Sequence, residues 1–253
     1  YDALNKIAKT YPVNGDYLND DNDLKIELGT KGFTKDVLEG NENFTPSNDD
    51  LREVKSIEER RVRLTENDFI LATNFSFSKT TKTDLSDNNF YLFKTKIESA
   101  GSILSLISNA TNQKTNQNGN YQLFNLEYSE YIKTEFDYIK HWDLGKEKVI
   151  AVRSFFGIAI PFGNSDYIPF SRSYFSGGSN DNRAWQPYSL GPGRSGATND
   201  FNEANMKIAV SAEFRFKILG DLKGALFADG GNIWNVFDNI TDEKSTFTNF
   251  DSL

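Results

Sequence analysis

The stretch ANMKIAVSAEFRFKI, residues 204–218, alternates apolar and polar side chains along its whole length, with the small Ala209 as the one exception. A period of two places successive side chains on opposite faces of a β-strand. The apolar face holds eight residues, whereas an ordinary strand has about five or six residues in total. The pattern therefore predicts a long strand with one face suited to lipid and one suited to water.

Further stretches repeat this alternation and bring the number of candidate strands to six; they begin near Phe69, Tyr91, Leu126, Ile150 and Leu222. Glu130 interrupts the stretch that begins near Leu126, and we expect it to lie near a membrane interface. The strands of a soluble β-sandwich also alternate. Periodicity alone therefore leaves a soluble β protein and a membrane barrel both open.

The connections between these strands alternate in length. Residues 80–89, 143–147 and 219–222 are short links, whereas 101–120 and 161–203 are long. Short turns at one end and long loops at the other are typical of outer-membrane barrels. The alternation therefore favours a membrane barrel over a soluble sandwich.

The bulk composition excludes several other classes of protein. The 253 residues carry a net charge of −8 with a pI of about 4.9, whereas a surface that binds nucleic acid is basic. A mean hydropathy of −0.56 and the lack of a long apolar run exclude a transmembrane helix. Cysteine is absent and His141 is the single histidine, so we expect no metal site, no catalytic triad and no enzyme. Aromatic residues make up 14% of the chain, as expected of aromatic girdles at two membrane interfaces.

The changes of composition and periodicity along the chain predict three regions. Residues 1–64 are polar and are predicted to form an acidic extracellular loop region, with one short charged helix near residues 50–63. Residues 65–237 are predicted to hold outer-membrane barrel strands and a lumenal loop at 161–203. Residues 238–253 are predicted to begin a further extracellular loop.

Two other patterns match known binding motifs only as strings. GPGRSG, residues 191–196, matches a dinucleotide fingerprint but does not follow a strand or open an amphipathic helix. NDDND, residues 19–23, lacks the central glycine and terminal glutamate of a calcium loop. We therefore predict no nucleotide cofactor. Residues 19–23 are predicted to be a solvent-exposed loop.

Two motifs far apart in the chain point to one family. The long loop holds YFSGGSNDNRAW at 174–185 and then SLGPG at 189–193, and the last strand holds FADGG at 227–231. This pair resembles the BamA/TamA superfamily of outer-membrane β-barrel assembly proteins (the bacterial surface antigen family). In that family a loop re-enters the barrel with an Arg-Gly-aromatic tip, and its arginine meets an aspartate of a Phe-x-Asp-x-Gly strand. Arg183 and Asp229 match these positions, and the RAW and LGPG strings resemble the TamA-like lipoprotein branch more than BamA.

The resemblance implies an all-β fold: an antiparallel transmembrane β-barrel of roughly sixteen strands, with the long loop folded into the lumen. About six of those strands lie in this chain, so further strands and periplasmic POTRA domains are expected outside it. The implied function is a non-catalytic outer-membrane factor that helps insert or export proteins. Its implied partners are outer-membrane lipid, client outer-membrane proteins, and periplasmic or lipoprotein assembly partners. The alternatives are a secretion or transport pore of the same superfamily and a soluble extracellular β-sheet binding protein.

A candidate site follows from the resemblance and from the faces of the last strand. Counting by two places Lys223, Phe227 and Asp229 on one face, the lumenal one, where Arg183 can bind Asp229 with bidentate geometry. Removing one partner would cost about 3–5 kcal/mol if the pair is buried and much less if water screens it. The alternative is two unrelated surface charges. Ala184 stands where the family has glycine. The other residues expected at the site are Phe227, which would pack beneath the loop, and Trp185, which would fill the lumenal wall. Three glycines would permit the turns of the loop: Gly177, Gly178 and Gly193.

Overall fold

The computed structural model describes residues 1–40, 43–65, 69–116, 119–196, 202–240 and 242–248. The chain divides into two compact units, Tyr1–Glu66 and Asn67–Leu253, each with a core of its own. Residues 197–201 of the predicted lumenal loop, and residues 241 and 249–253 of the predicted last loop, lie outside the described residues.

The first unit is helical in its described residues. It contains α1 (Asp2–Ala8), a 3-10 turn (Gly15–Tyr17), α2 (Leu28–Glu39) and α3 (Asn48–Thr65). Their apolar faces and Leu24, from the link before α2, meet in a core that holds Leu4, Ile7, Ala8, Leu24, Phe33, Val37 and Val54. No described helix has the length and apolar character needed to cross a membrane. The helix that the sequence predicts near residues 50–63 is α3, whereas α1 and α2 were not predicted.

Two glycines explain why the sequence pattern does not predict α2. Gly29 and Gly32 lower the intrinsic helix propensity of the segment. A Cβ atom at Gly29 would lie 2.2 Å from the carbonyl oxygen of Tyr17, and one at Gly32 would lie 2.5 Å from the Tyr17 ring. The 3-10 turn packs so closely on α2 that glycine is required at both positions. Tertiary contact, and not local propensity, therefore decides this helix.

The second unit is built on one antiparallel sheet of six long strands, which lie side by side in chain order. Its strands are long, and their bounds are β1 (Ala72–Thr80), β2 (Tyr91–Ala100), β5 (Tyr131–Asp143), β6 (Lys148–Pro161), β7 (Met206–Leu219) and β8 (Leu222–Trp234). A separate short hairpin is formed by β3 (Gln122–Leu123) and β4 (Leu126–Glu127). The six long strands are the six that the sequence predicts, and β1 and β8 are the two edges of the sheet.

The register gives the sheet two chemically different faces. On β7, one face is apolar from end to end and the other carries Lys207, Ser211, Glu213, Arg215 and Lys217. Between β2 and β5, opposite charges face each other directly in the pairs Lys94 with Asp137, Lys96 with Glu135 and Glu98 with Lys133. Such cross-strand pairs stabilise a sheet and suit a water-filled space. The polar face is therefore the lumenal face, and the apolar face is the outward one.

The connections differ in length at the two ends of the sheet. Residues 81–90, 144–147 and 220–221 are short links at one end. Residues 101–130 and 162–205 lie at the other end, and the first of these includes helix α4 (Ser102–Ala110) and the β3–β4 hairpin. This is the alternation on which the prediction of a membrane barrel rests.

Glu130 marks the point where the chain leaves the β3–β4 hairpin and enters β5. Its side chain is buried and accepts a hydrogen bond of 2.8 Å from the backbone N–H of Asn164. β5 begins one residue later, at Tyr131. The sequence predicts one strand that begins near Leu126 and continues past Glu130. In the structure Leu126 starts β4, the second strand of the short hairpin, and does not belong to β5.

The two faces predict opposite tolerance of a cation at neighbouring positions of β1. Phe75 lies on the outward face, and Asn74 lies on the lumenal face opposite Glu98. We expect Phe75→Arg to destabilise the folded barrel by about 2–4 kcal/mol, as a cation does on a lipid-facing surface near the bilayer centre. Asn74→Arg is expected to change stability by less than about 1 kcal/mol. Urea unfolding of the full gene product in lipid vesicles measures both, and equal losses would contradict the assignment of faces.

Asp50 couples the stability of the first unit to pH. Its carboxylate accepts hydrogen bonds from the hydroxyls of Tyr11 at 2.6 Å and Ser47 at 2.7 Å. The bond from Tyr11 is the main reason why the pKa of Asp50 lies below its ordinary value. The stabilisation is thus complete above the ordinary pKa of about 4 and is lost as the pH falls through the lower pKa of the folded state. The protection of the amides in the first turn of α3, measured as hydrogen exchange relative to the intrinsic exchange rate at each pH, should fall in acid, and Asp50→Asn should abolish this fall. Asp49→Asn is the matched control, and the same loss of acid dependence in it would contradict the assignment to Asp50.

Candidate functional site

The connection between β6 and β7, residues 162–205, is called the loop; its described residues, 162–196 and 202–205, lie against the lumenal face of the sheet. Its two arms are joined by antiparallel bridges, Tyr174 with Ala204 and Ser176 with Leu190. The ring of Tyr174 is buried against Gly157 of β6, where a Cβ atom would lie 2.6 Å from the ring. The arms therefore form a paired stem, and residues 177–189 project from it as the tip of the loop.

Arg183, in the tip, binds two carboxylates of the sheet. Its Nε donates to Asp229 Oδ2 at 2.7 Å and its Nη2 donates to Asp229 Oδ1 at 2.8 Å, which is a bidentate pair. Its Nη1 donates to Glu213 Oε2 at 2.7 Å. The hydrogen bonds to Asp229 are the largest of the effects that raise the pKa of Arg183 above its already high value. The guanidinium is therefore charged at every pH that a cell presents.

Phe227 forms the floor of this cluster. The central carbon of the Arg183 guanidinium lies 3.7 Å from the centroid of the Phe227 ring, which is an attractive arrangement. The side chain of Arg183 is 25% exposed and that of Asp229 is 7% exposed. A carboxylate with so little contact with water depends on its counter-ion, and removal of one partner of a fully buried pair costs about 3–5 kcal/mol. The partial exposure of Arg183 places this pair below that limit.

Glu213 is absent from the site that the sequence predicts. It lies on β7 directly opposite Phe227 of β8, so its side chain shares a face with Asp229. The β7–β8 hairpin brings these strands together, but a register shift between Lys217 and Leu219 changes the count by one residue. The alternation along β7 already places Glu213 on the polar face, together with Lys207, Ser211, Arg215 and Lys217. It does not show which of these side chains the tip of the loop reaches, and sequence reasoning therefore did not single out Glu213.

Cations of the sheet hold the body of the loop by its backbone. These contacts are Lys207 Nζ to Phe175 O at 2.8 Å, Arg153 Nη1 to Asn180 O at 3.1 Å and Lys133 Nζ to Arg172 O at 2.8 Å. Lys207 also pairs with Asp181 at 2.9 Å. Sequence reasoning did not single out these three side chains, because many cations alternate along the lumenal face and the path of the loop decides which of them it meets.

The sequence predicts that glycines permit the turns of the loop, and the structure gives the backbone angles at these positions. Gly177 and Gly178 have φ angles of 103° and 110°, a region that side chains strongly disfavour. A Cβ atom at Gly177 would also lie 2.1 Å from the carbonyl oxygen of Gln186. At Gly193 a Cβ atom would lie 2.3 Å from the carbonyl oxygen of Lys244. Ala184, where the family has glycine, is not among the described residues with positive φ.

Cavities lie between the tip of the loop and the sheet, and two of them are bordered by residues of both. The larger, of about 430 Å³, is bordered by Arg153 and Lys207 together with Gly178 and Asp181 of the tip. The smaller, of about 180 Å³, is bordered by Trp185 together with Phe227 and Asp229. The sequence led us to expect that Trp185 fills the lumenal wall. In the structure Trp185 is 49% exposed and borders this space.

The chemistry of the cluster is ionic and mechanical. Its groups are two guanidiniums, those of Arg183 and Arg215, together with two carboxylates and one aromatic ring, and they attach a loop to a wall. Within the described ranges, no three or more His, Asp or Glu side chains are grouped so that they could hold a metal ion.

Comparison with known proteins gives one family match and a similarity to solved structures. A family model described as the Omp85 superfamily domain matches residues 41–251. Among solved structures, the chain is similar to BamA from Haemophilus ducreyi lacking POTRA domains 1-3, with 17% sequence identity and a TM-score of 0.37. That match covers 66% of this chain and 42% of the BamA chain, so this chain spans less than half the length of that structure. The search of curated proteins found no match.

The close approach at Gly177 predicts that its substitution frees the tip. Gly177→Ala adds a clash with Gln186 to the backbone strain, whereas Gly196→Ala adds only the strain, because Gly196 has a φ of 84° and nothing within 4 Å of its Cβ position. Strain of this kind is worth about 1–3 kcal/mol, so we expect trypsin to cleave after Arg183 at least about tenfold faster in Gly177→Ala. Equal cleavage rates in the two variants would show that the tip is not held in this conformation.

Proposed function

The chain belongs to the Omp85 superfamily, and on that premise we propose that it forms part of an outer-membrane β-barrel that helps insert or export outer-membrane and surface proteins. The proposed process breaks no covalent bond and needs no cofactor. Its partners are the lipid of the outer membrane, client outer-membrane proteins, and periplasmic or lipoprotein assembly partners. The antiparallel sheet with one apolar face supports the proposal, and further strands are needed to pair its edges, because an open edge in lipid leaves backbone groups unpaired.

The single observation that carries the proposal is the attachment of the loop through Arg183. Asp229 and Glu213 belong to adjacent strands, so one guanidinium joins the loop to two strands of the wall. A loop attached in this way keeps one position in the lumen while a client protein is handled at the barrel. We propose that this lumenal lock consists of Arg183, Asp229, Phe227, Trp185, Gly177, Gly178 and Gly193, and we add Glu213 to it.

The strand directions suggest a side of the membrane for the remaining regions. β1 begins and β8 ends at the end of the sheet that carries the long connections. In outer-membrane barrels the long loops are extracellular. We therefore propose that residues 1–64 are an extracellular region, that 65–237 are the barrel part, and that 238–253 begin a further extracellular loop.

A second candidate function is a secretion or transport pore of the same superfamily. The cavity of about 430 Å³ between the tip and the sheet favours it, because two cations, Arg153 and Lys207, border this space. Ion conductance of the purified barrel in planar bilayers discriminates between the two candidates. A relation to the TamA-like lipoprotein branch stays a proposal that rests on the RAW and LGPG strings.

Charge reversal at the lock tests the proposed function in cells. Arg183→Glu and Asp229→Arg each place like charges together, so we expect each to lower outer-membrane protein levels and to impair the heat-modifiable folding of the barrel. The double variant should recover only in part, because its new carboxylate faces Glu213. The triple variant, with Glu213→Gln added, should recover further.

Arg194→Glu is the matched control, since it reverses a charge in the same loop outside the lock. Single variants that behave like this control and like the wild type would refute the lock. Impaired barrel folding with normal levels of other outer-membrane proteins would retain the lock but refute the assembly function.

A further inference from the structure

Helix α4 presents an aliphatic face outward. Ile103, Leu106 and Ile107 are 53%, 70% and 55% exposed, whereas Ser108 is 4% exposed. The exposed apolar positions follow the three- and four-residue spacing that places side chains on one face of a helix. In a water-soluble protein this face would point inward and the serines outward. The polarity of α4 is therefore reversed.

The serines of α4 are satisfied by the protein. Ser102 Oγ lies 2.7 Å from Ser99 Oγ of β2, and the hydroxyl of Tyr128 donates to Ser108 Oγ at 3.4 Å. Ser108 Oγ in turn donates to Gln113 at 2.9 Å. Tyr128 is itself buried. These contacts fix the rotation of the helix about its axis. The inward hydrogen bonds of the serines therefore hold the aliphatic face outward.

The contact at Ser99 shows on which side of the sheet the helix begins. The neighbouring Glu98 lies on the lumenal face, where it pairs with Arg172 of the loop at 3.6 Å. Ser99 therefore lies on the outward face, in register with Thr73 and Ile132. Helix α4 starts where the outward row of β2 ends, so its aliphatic face continues the lipid-facing surface of the barrel.

The composition of the segment fits a non-aqueous neighbour. Residues 99–113 contain no Asp, Glu, Lys or Arg, although such residues make up 25% of the chain. A protein partner is usually met by a face that includes aromatic, arginine or hydrogen-bonding groups, whereas this face holds only Ile and Leu. Aliphatic faces that lie along a bilayer make contact with acyl chains at the level of the headgroups.

We propose that α4 lies along the outer leaflet of the outer membrane, with Ile103, Leu106 and Ile107 in contact with lipid acyl chains. The helix then widens the lipid-contacting surface of the barrel beyond the ends of β2 and β5. This inference rests on the barrel spanning the membrane and does not depend on its role in protein assembly.

The test uses single cysteines, because the chain contains none. Leu106→Cys in the full gene product is labelled with an environment-sensitive fluorophore and reconstituted in phospholipid vesicles. Val210→Cys, on the outward face of β7, is the lipid control, and Leu85→Cys, in the short β1–β2 link and 96% exposed, is the water control. We expect the label at 106 to be quenched by spin-labelled lipid to the same degree as the label at 210, and to be insensitive to iodide.

A label at Asn109, which is exposed beyond the aliphatic face, should be quenched by iodide and so report the orientation of the helix. Ile103→Cys and Ile107→Cys repeat the measurement if Leu106→Cys lowers the heat-modifiable folded fraction. Iodide quenching at 106 as strong as at 85 would overturn the proposal. Protection from both quenchers would overturn it as well, because it would show that a protein surface covers the helix.

Discussion

The Arg183 guanidinium occupies the space between two carboxylates of adjacent strands, and the position of the loop depends on it. Asp229 and Glu213 share one face of the β7–β8 hairpin, and without a cation between them they would repel each other in a space that water only partly screens. The planar guanidinium offers separate nitrogens to both carboxylates and lies over the Phe227 ring. An ammonium group has no such fork, so the geometry is specific to arginine.

The rest of the loop is held by the reverse arrangement of charge. At the tip, a cation of the loop binds anions of the sheet, whereas along the arms the cations Lys207, Arg153 and Lys133 of the sheet bind carbonyl oxygens of the loop. A loop with little secondary structure has many backbone carbonyls without partners of their own, and a shielded carbonyl needs a donor. The lumenal face supplies these donors, so its cations also bind the backbone of the loop in addition to making this face polar.

The two units of the chain use apolar side chains in opposite ways. In the first unit, Leu4, Phe33 and Val54 point inward and form a core of the kind found in water-soluble proteins. In the second unit, the long apolar rows of the strands point outward, and α4 follows the same rule with its serines turned inward. The direction in which the long apolar rows point therefore changes between the two units, and this change coincides with the boundary between them.

The sequence by itself determined the strands and their two faces, because a period of two is a local property of the chain. It pointed to the pairing of Arg183 with Asp229 only through the resemblance of two distant motifs to a known family, since no local pattern joins the two residues. It did not predict α1 or α2, since the glycines of α2 make sense only against Tyr17. It did not identify Glu213, because the alternation places several polar residues on that face of β7 and does not show which of them the tip of the loop meets. Only the tertiary structure decided which lumenal cations meet the loop and which way α4 is turned. Those choices depend on where distant segments pass one another, and no local pattern of residues records that path.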